Sequence, residues 1–97
     1  MLYEVAFSEE ASSQLADLED YLAERFYPEN AERYIRRVTQ ACLALGSAPY
    51  QGTKRDDLAP GIRMTGFERR ATIYFKVTEQ QVVILGIFYG GRSFQQF

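Results

Sequence analysis

The chain contains no histidine and a single cysteine, Cys42. Each absence removes a class of chemistry. Acid–base catalysis near neutral pH leans on a side chain that titrates there, most often histidine. A lone cysteine forms no internal disulfide, and without histidine it forms no zinc site. A reducing cytoplasm is the compartment this cysteine usage suits. No glycine-rich loop opens a helix, since Gly90–Gly91 follows a strand pattern, so no phosphate cradle is expected. Neither a metal nor a cofactor is therefore expected. The opening MLYEVAFSEE lacks a basic start and a long apolar stretch, and no apolar run reaches membrane-spanning length, so no membrane association is expected.

The 97 residues amount to one domain, taken as residues 1–97. Hydrophobic residues are 46% and aromatic residues 14%, enough for a packed core. The net charge is -2, which argues against a general nucleic-acid coat. The charge is uneven: residues 1–46 sum to -5 and residues 47–97 to +3. A basic second half can face an anionic partner, or it can be ordinary surface charge.

Residues 2–7 alternate as a first strand, with Tyr3, Val5 and Phe7 on one face. Ser8 suits a helix cap, with Glu9 and Glu10 in the first turn. Ala11, Leu15, Leu18, Leu22 and Phe26 form one apolar stripe. Pro28 opens a second helix whose stripe is Ala31, Ile35, Val38, Cys42 and Leu45, and Gly46 is placed to cap its end. Two helices of about 18 residues, roughly 27 Å each, joined by so short a turn, pack as an antiparallel hairpin. Residues 47–61, SAPYQGTKRDDLAPG, form one long connection.

Three strands follow, at 62–67, 70–77 and 82–89. The last is apolar on both faces, with Val82, Ile84 and Phe88 on one and Val83, Leu85 and Ile87 on the other. Such a strand belongs inside a sheet. The expected fold is α+β: an N-terminal strand, an antiparallel helix hairpin, then three antiparallel strands, with the helices on one face of a mainly antiparallel sheet. The other face is left apolar, which marks a partner surface.

Arg63, Arg69, Arg70, Tyr74, Lys76, Tyr89 and Arg92 bring basic and aromatic groups to the last strands. Such a set suits phosphate, RNA or an acidic protein surface. Glu68 and Glu79 lie near strand turns and make no evident pair. Tyr21, Arg25, Arg33, Tyr34 and Arg37 lie beside the helix stripes. They border the core or line a groove for a partner helix, and the spacing allows both. Cys42, on the apolar stripe, reads as a small buried hydrophobe.

Two segments carry a family resemblance. VAFSEEASSQLADLEDYLAERFYPENAERYIRRV resembles the opening of the RelE/ParE toxin superfamily, and GIRMTGFERRATIYFKVTEQQVVILGIFYGGR resembles its C-terminal half. The ParE branch is the better fit. It implies the toxin of a type II toxin–antitoxin, plasmid-stabilisation module that inhibits DNA gyrase in the cytoplasm. It also implies a ParD-type antitoxin, a ribbon-helix-helix protein whose C-terminal segment wraps the toxin. Target contacts then fall to Arg63, Arg69, Arg70, Tyr89, Arg92, Phe94 and Phe97. Antitoxin contacts fall to Tyr21, Arg25, Arg33, Tyr34 and Arg37 along the hairpin, with Tyr74 on the open sheet face. Sequence-specific nucleic-acid binding by the toxin alone is not implied. The alternative is a RelE-like ribosome-dependent mRNA endoribonuclease, in which Arg63, Arg70 and Arg92 grip phosphate and Tyr89 orients or protonates. Tyr89 stands where that branch often has histidine. A third reading is a non-toxic relative that only pairs with its antitoxin.

Overall fold

The computed structural model describes residues 2–90. Arg92, Phe94 and Phe97 lie outside the described residues. The elements run β1 Glu4–Phe7, α1 Glu9–Arg25, α2 Pro28–Ala44, β2 Thr53–Lys54, β3 Arg63–Phe67, β4 Ala71–Val77 and β5 Gln81–Tyr89. The strands form one sheet in the order β1-β5-β4-β3-β2. β1 runs parallel to β5, and the other pairings are antiparallel. Both helices pack on one face, and β5 lies inside the sheet as its double-sided apolar pattern requires.

Ser8 joins β1 to α1. Its Oγ accepts the Ala11 N–H at 3.0 Å and donates to the Leu85 carbonyl at 3.2 Å. Its own N–H donates to the Ile84 carbonyl at 2.9 Å. α1 ends at Arg25, and Phe26 adopts an extended backbone beyond it. Phe26 is therefore not the last residue of the apolar stripe, and it is 58% exposed. Pro28 begins α2, where its missing N–H costs nothing.

Gly46 does not cap α2 in a left-handed conformation; the described positive-φ glycines are Gly52, Gly61 and Gly90. Its reason is close approach. A Cβ there would stand 2.5 Å from the Tyr3 carbonyl oxygen, and the Gly46 carbonyl accepts the Tyr3 N–H at 2.8 Å. The connection at 47–61 is not unbroken either, because β2 adds a two-residue edge to β3.

The largest departure from expectation lies in β5. Phe75 pairs with Ile84 but Tyr74 pairs with Gly86, so Leu85 is an extra residue in a β-bulge. The bulge reverses the faces beyond it. Ile87 turns toward the helices and is buried in the core, not outward. Phe88 turns away from the helices, edge-on to Tyr74 at 5.8 Å. The bulge's backbone is satisfied from α1: Gln14 Oε1 accepts the Ile87 N–H at 2.7 Å, and Ser8 takes the Leu85 carbonyl.

The main core sets Val38, Cys42 and Leu45 against Ile73, Phe75, Val82, Ile84 and Ile87. Cys42 is fully buried, and burial pushes its thiol up to about 12. A second cluster, Leu18, Leu22 and Ala31, sits between the helices with Tyr34 and Tyr89 against it.

Candidate functional site

The bulge decides where Tyr89 points. With the faces reversed, its ring enters the gap between the helices near the turn of the hairpin. It lies edge-on to Tyr21 of α1 at 6.3 Å and to Tyr34 of α2 at 5.9 Å. Tyr34 in turn meets Phe67 of β3 at 5.7 Å. Four rings thus cross from α1 to β3, each pair in the edge-to-face geometry that aromatic quadrupoles prefer.

Helical spacing places arginines over this row. Arg25 lies one turn beyond Tyr21, with its guanidinium carbon 3.8 Å from the ring centroid. Arg37 lies three residues beyond Tyr34, at 5.4 Å. Both are within cation–π range. Arg33 donates to the Asn30 side chain on the same rim.

The β3–β4 turn closes the end. Glu68 and Arg69 have φ of 49° and 65°, and the Arg70 N–H donates to the Phe67 carbonyl at 3.2 Å. A two-residue hairpin turn with both central residues left-handed is the type I′ form, which usually selects Asn and Gly. Glu68 accepts a bidentate pair of bonds from Arg37, at 2.9 and 3.1 Å. This ties the turn to α2 across 31 residues of sequence.

Two hollows open on either side of Tyr89. One, of about 320 Å³, has Leu22, Ala31 and Tyr34 as floor and Asn30, Arg33 and Arg37 at its rim. The other, of about 650 Å³, is lined by Gln14, Asp17, Leu18, Tyr21 and Arg70, with Ile87 to Gly90 behind.

Three groups of the site are shifted from their ordinary titration. Burial pushes the Tyr34 phenol up to about 12, helped by Tyr89 and Glu68 and opposed by Arg37 and Arg70. Its hydroxyl is buried and has no hydrogen-bond partner among the described residues. The hydrogen bond from Arg37 holds the Glu68 carboxyl below its ordinary range, and the same bond raises Arg37. Among the described residues no cluster of His, Cys, Asp or Glu could hold a metal ion, and no helix is long and apolar enough to cross a membrane.

The structure brings together Tyr21, Arg25, Arg33, Tyr34, Arg37, Arg70 and Tyr89, with Arg69 exposed at the adjacent turn. Arg63 stands apart. It begins β3, four residues and about 13 Å along the strand from Phe67. Its guanidinium donates to the Tyr50 and Gln51 carbonyls and lies 5.7 Å from the Tyr50 ring. Tyr74 lies on the expected sheet face, but packed there. It faces away from the helices, and at 4% exposure it is part of the packed sheet, not of an open docking face. Glu68, which makes no evident pair in the sequence, is an acidic member of the site through its bond to Arg37. Nothing in the sequence pattern marks a partner so distant.

Comparison with known proteins follows the same line. Residues 5–94 match the family model described as "ParE toxin of type II toxin-antitoxin system, parDE". The fold is similar to a chain of the chromosomal ParDE toxin–antitoxin system from P. aeruginosa, with a TM-score of 0.80 and 22% identity over 92% of this chain and 97% of that one. It is also similar to a chain of the RelBE2 toxin–antitoxin complex from Mycobacterium tuberculosis, with a TM-score of 0.64 and 17% identity over 92% and 99%. No curated protein sequence matches.

Proposed function

This chain belongs to the ParE toxin family of type II toxin–antitoxin systems, and from that premise we propose that it acts in the cytoplasm by binding and inhibiting DNA gyrase, and that a ParD-type antitoxin neutralises it. The observation that carries the reading is the separation of Arg63 from Arg70 and Tyr89. A nuclease of the alternative kind needs its phosphate-gripping arginines and its tyrosine on one reacting phosphate. Arg63 is instead occupied by the Tyr50 and Gln51 carbonyls at the other end of β3. The absence of histidine points the same way.

The contacts are assigned by chemistry. Arg69, Arg70 and Tyr89 present charge and an aromatic face to the target, together with Arg92, Phe94 and Phe97 from the sequence that follows. Tyr21, Arg25, Arg33, Tyr34 and Arg37 receive the antitoxin. Tyr89 belongs to both hollows, so an antitoxin seated on the hairpin covers part of the target surface. Neutralisation then needs no change in the toxin's fold.

Expression in a host without antitoxin separates the readings. Filamentation with DNA damage is the expected outcome. Translation arrest with cleaved mRNA would replace gyrase with the ribosome as the target.

A further inference from the structure

The cations around the two hollows are unevenly matched. Arg25, Arg33 and Arg70 form no ion pair among the described residues, whereas Arg37 is held by Glu68. Asp17 is the one acidic lining residue of the second hollow. The floor beneath these cations is apolar, from Leu22 and Ala31. This charge and shape suit an acidic amphipathic segment: apolar side chains in the hollows, carboxylates at the rim.

Glu68 already supplies one carboxylate at that rim. It does so from a turn position where an L side chain is strained, φ 49°. Its ion pair with Arg37 is half-exposed on both sides, 49% and 44%, and exposed pairs contribute little and exchange readily. We infer that Glu68 is a built-in competitor for Arg37, displaced in the complex by a carboxylate of the antitoxin's docking segment. The inference rests on the antitoxin reading of the hairpin given above. In the free toxin Glu68 keeps Arg37 folded over the Tyr34 ring and the rim ready. In the complex Arg37 turns to the partner, and Glu68 becomes a like-charged neighbour that weakens binding. The toxin thereby limits its own affinity for its inhibitor, which favours release of active toxin.

The probe is the protein encoded beside the toxin gene, co-purified, separated and titrated back by calorimetry. Glu68→Gln tightens binding by about 3- to 10-fold, while Arg37→Gln weakens it by a similar factor. In the Arg37→Gln background the gain from Glu68→Gln shrinks, leaving only the relief of like-charge repulsion. Glu68→Ala serves as a second variant, and circular dichroism checks the fold of each. Independently, the Glu68 carboxyl carbon titrates below the ordinary range in free toxin and returns to it in the complex. Unchanged or weaker binding by both Glu68 variants, or a Glu68 titration still depressed in the complex, overturns the inference. If Tyr21→Ala and Arg33→Ala leave affinity unchanged, the antitoxin docks elsewhere and the broader reading of the hairpin falls. If they weaken binding and the Glu68 variants do not tighten it, the competitor idea alone falls.

Discussion

Tyr34 shows how a single residue divides stability from function. Its ring joins Tyr89 to Phe67, but its hydroxyl is buried without a partner among the described residues. Leaving a buried hydroxyl unpaired costs about 1–3 kcal/mol. Tyr34→Phe keeps the ring and removes the cost, so the free toxin gains roughly 1 kcal/mol in urea denaturation. The same group sets an alkaline limit. Its phenol lies at about 12 in the fold against 10.0 ordinarily, so the neutral form is the one the fold favours. Its contribution is complete below pH 10 and is lost as pH rises through 12. The variant should therefore decline less steeply over that window, and parallel alkaline curves for the two proteins would count against this burial. Glu68 has the opposite sign. Its lowered carboxyl favours the fold above the ordinary value of 4.5, and that contribution is lost as pH falls below it.

Gly46 is a second case. Gly46→Ala places a methyl 2.5 Å from the Tyr3 carbonyl, which must push β1 away from the end of α2, at about 2 kcal/mol or more. Gly66→Ala is the control. The nearest atom to its Cβ is 4.0 Å away, so its effect should stay within about 0.5 kcal/mol. Equal effects in thermal unfolding would contradict the close-approach explanation.

At the scale of elements, α1 does two jobs through one end. Ser8 caps the helix and, with Gln14, satisfies the bulged backbone of β5. Ser8→Ala removes both functions and costs about 1–2 kcal/mol. Gln14→Ala leaves the Ile87 N–H without its acceptor, and faster hydrogen exchange at that amide is the direct readout. Unchanged exchange there would mean that the bulge holds itself. The helices were legible in the sequence because their apolar residues recur with helical period and because Ser8 and Pro28 mark their starts. The interior position of β5 was legible from its two apolar faces. That same pattern hid the bulge: where both faces are apolar, alternation carries no phase, and one extra residue leaves no trace. Strict alternation therefore puts Phe88 and Ile87 on the wrong faces and hides the inward aim of Tyr89. β2, at two residues, is too short to show a period.

For the molecule as a whole, the candidate site was half legible. Tyr21, Arg25, Arg33, Tyr34 and Arg37 could be collected from the flanks of two helix stripes. Their junction with Arg70, Tyr89 and Glu68 depends on tertiary packing that composition does not encode. Arg63 was grouped with Arg70 by residue type, and the length of β3 separates them. Assembly also explains how an acidic chain presents a basic surface. Arginines of the acidic N-terminal half and Arg70 of the basic half meet at one end of the fold, while the acids of α1 at Glu19, Asp20 and Glu24 line neither hollow. On the proposed function, this end is a binding surface for a protein target. A supercoiling assay with purified gyrase, relaxed plasmid and increasing free toxin tests that most directly. Loss of supercoiling with accumulation of cleaved plasmid, reversed by antitoxin and blunted by Arg70→Ala, is the predicted result. Full supercoiling in excess toxin, with ribosome-bound mRNA cut by the same preparation, would contradict it.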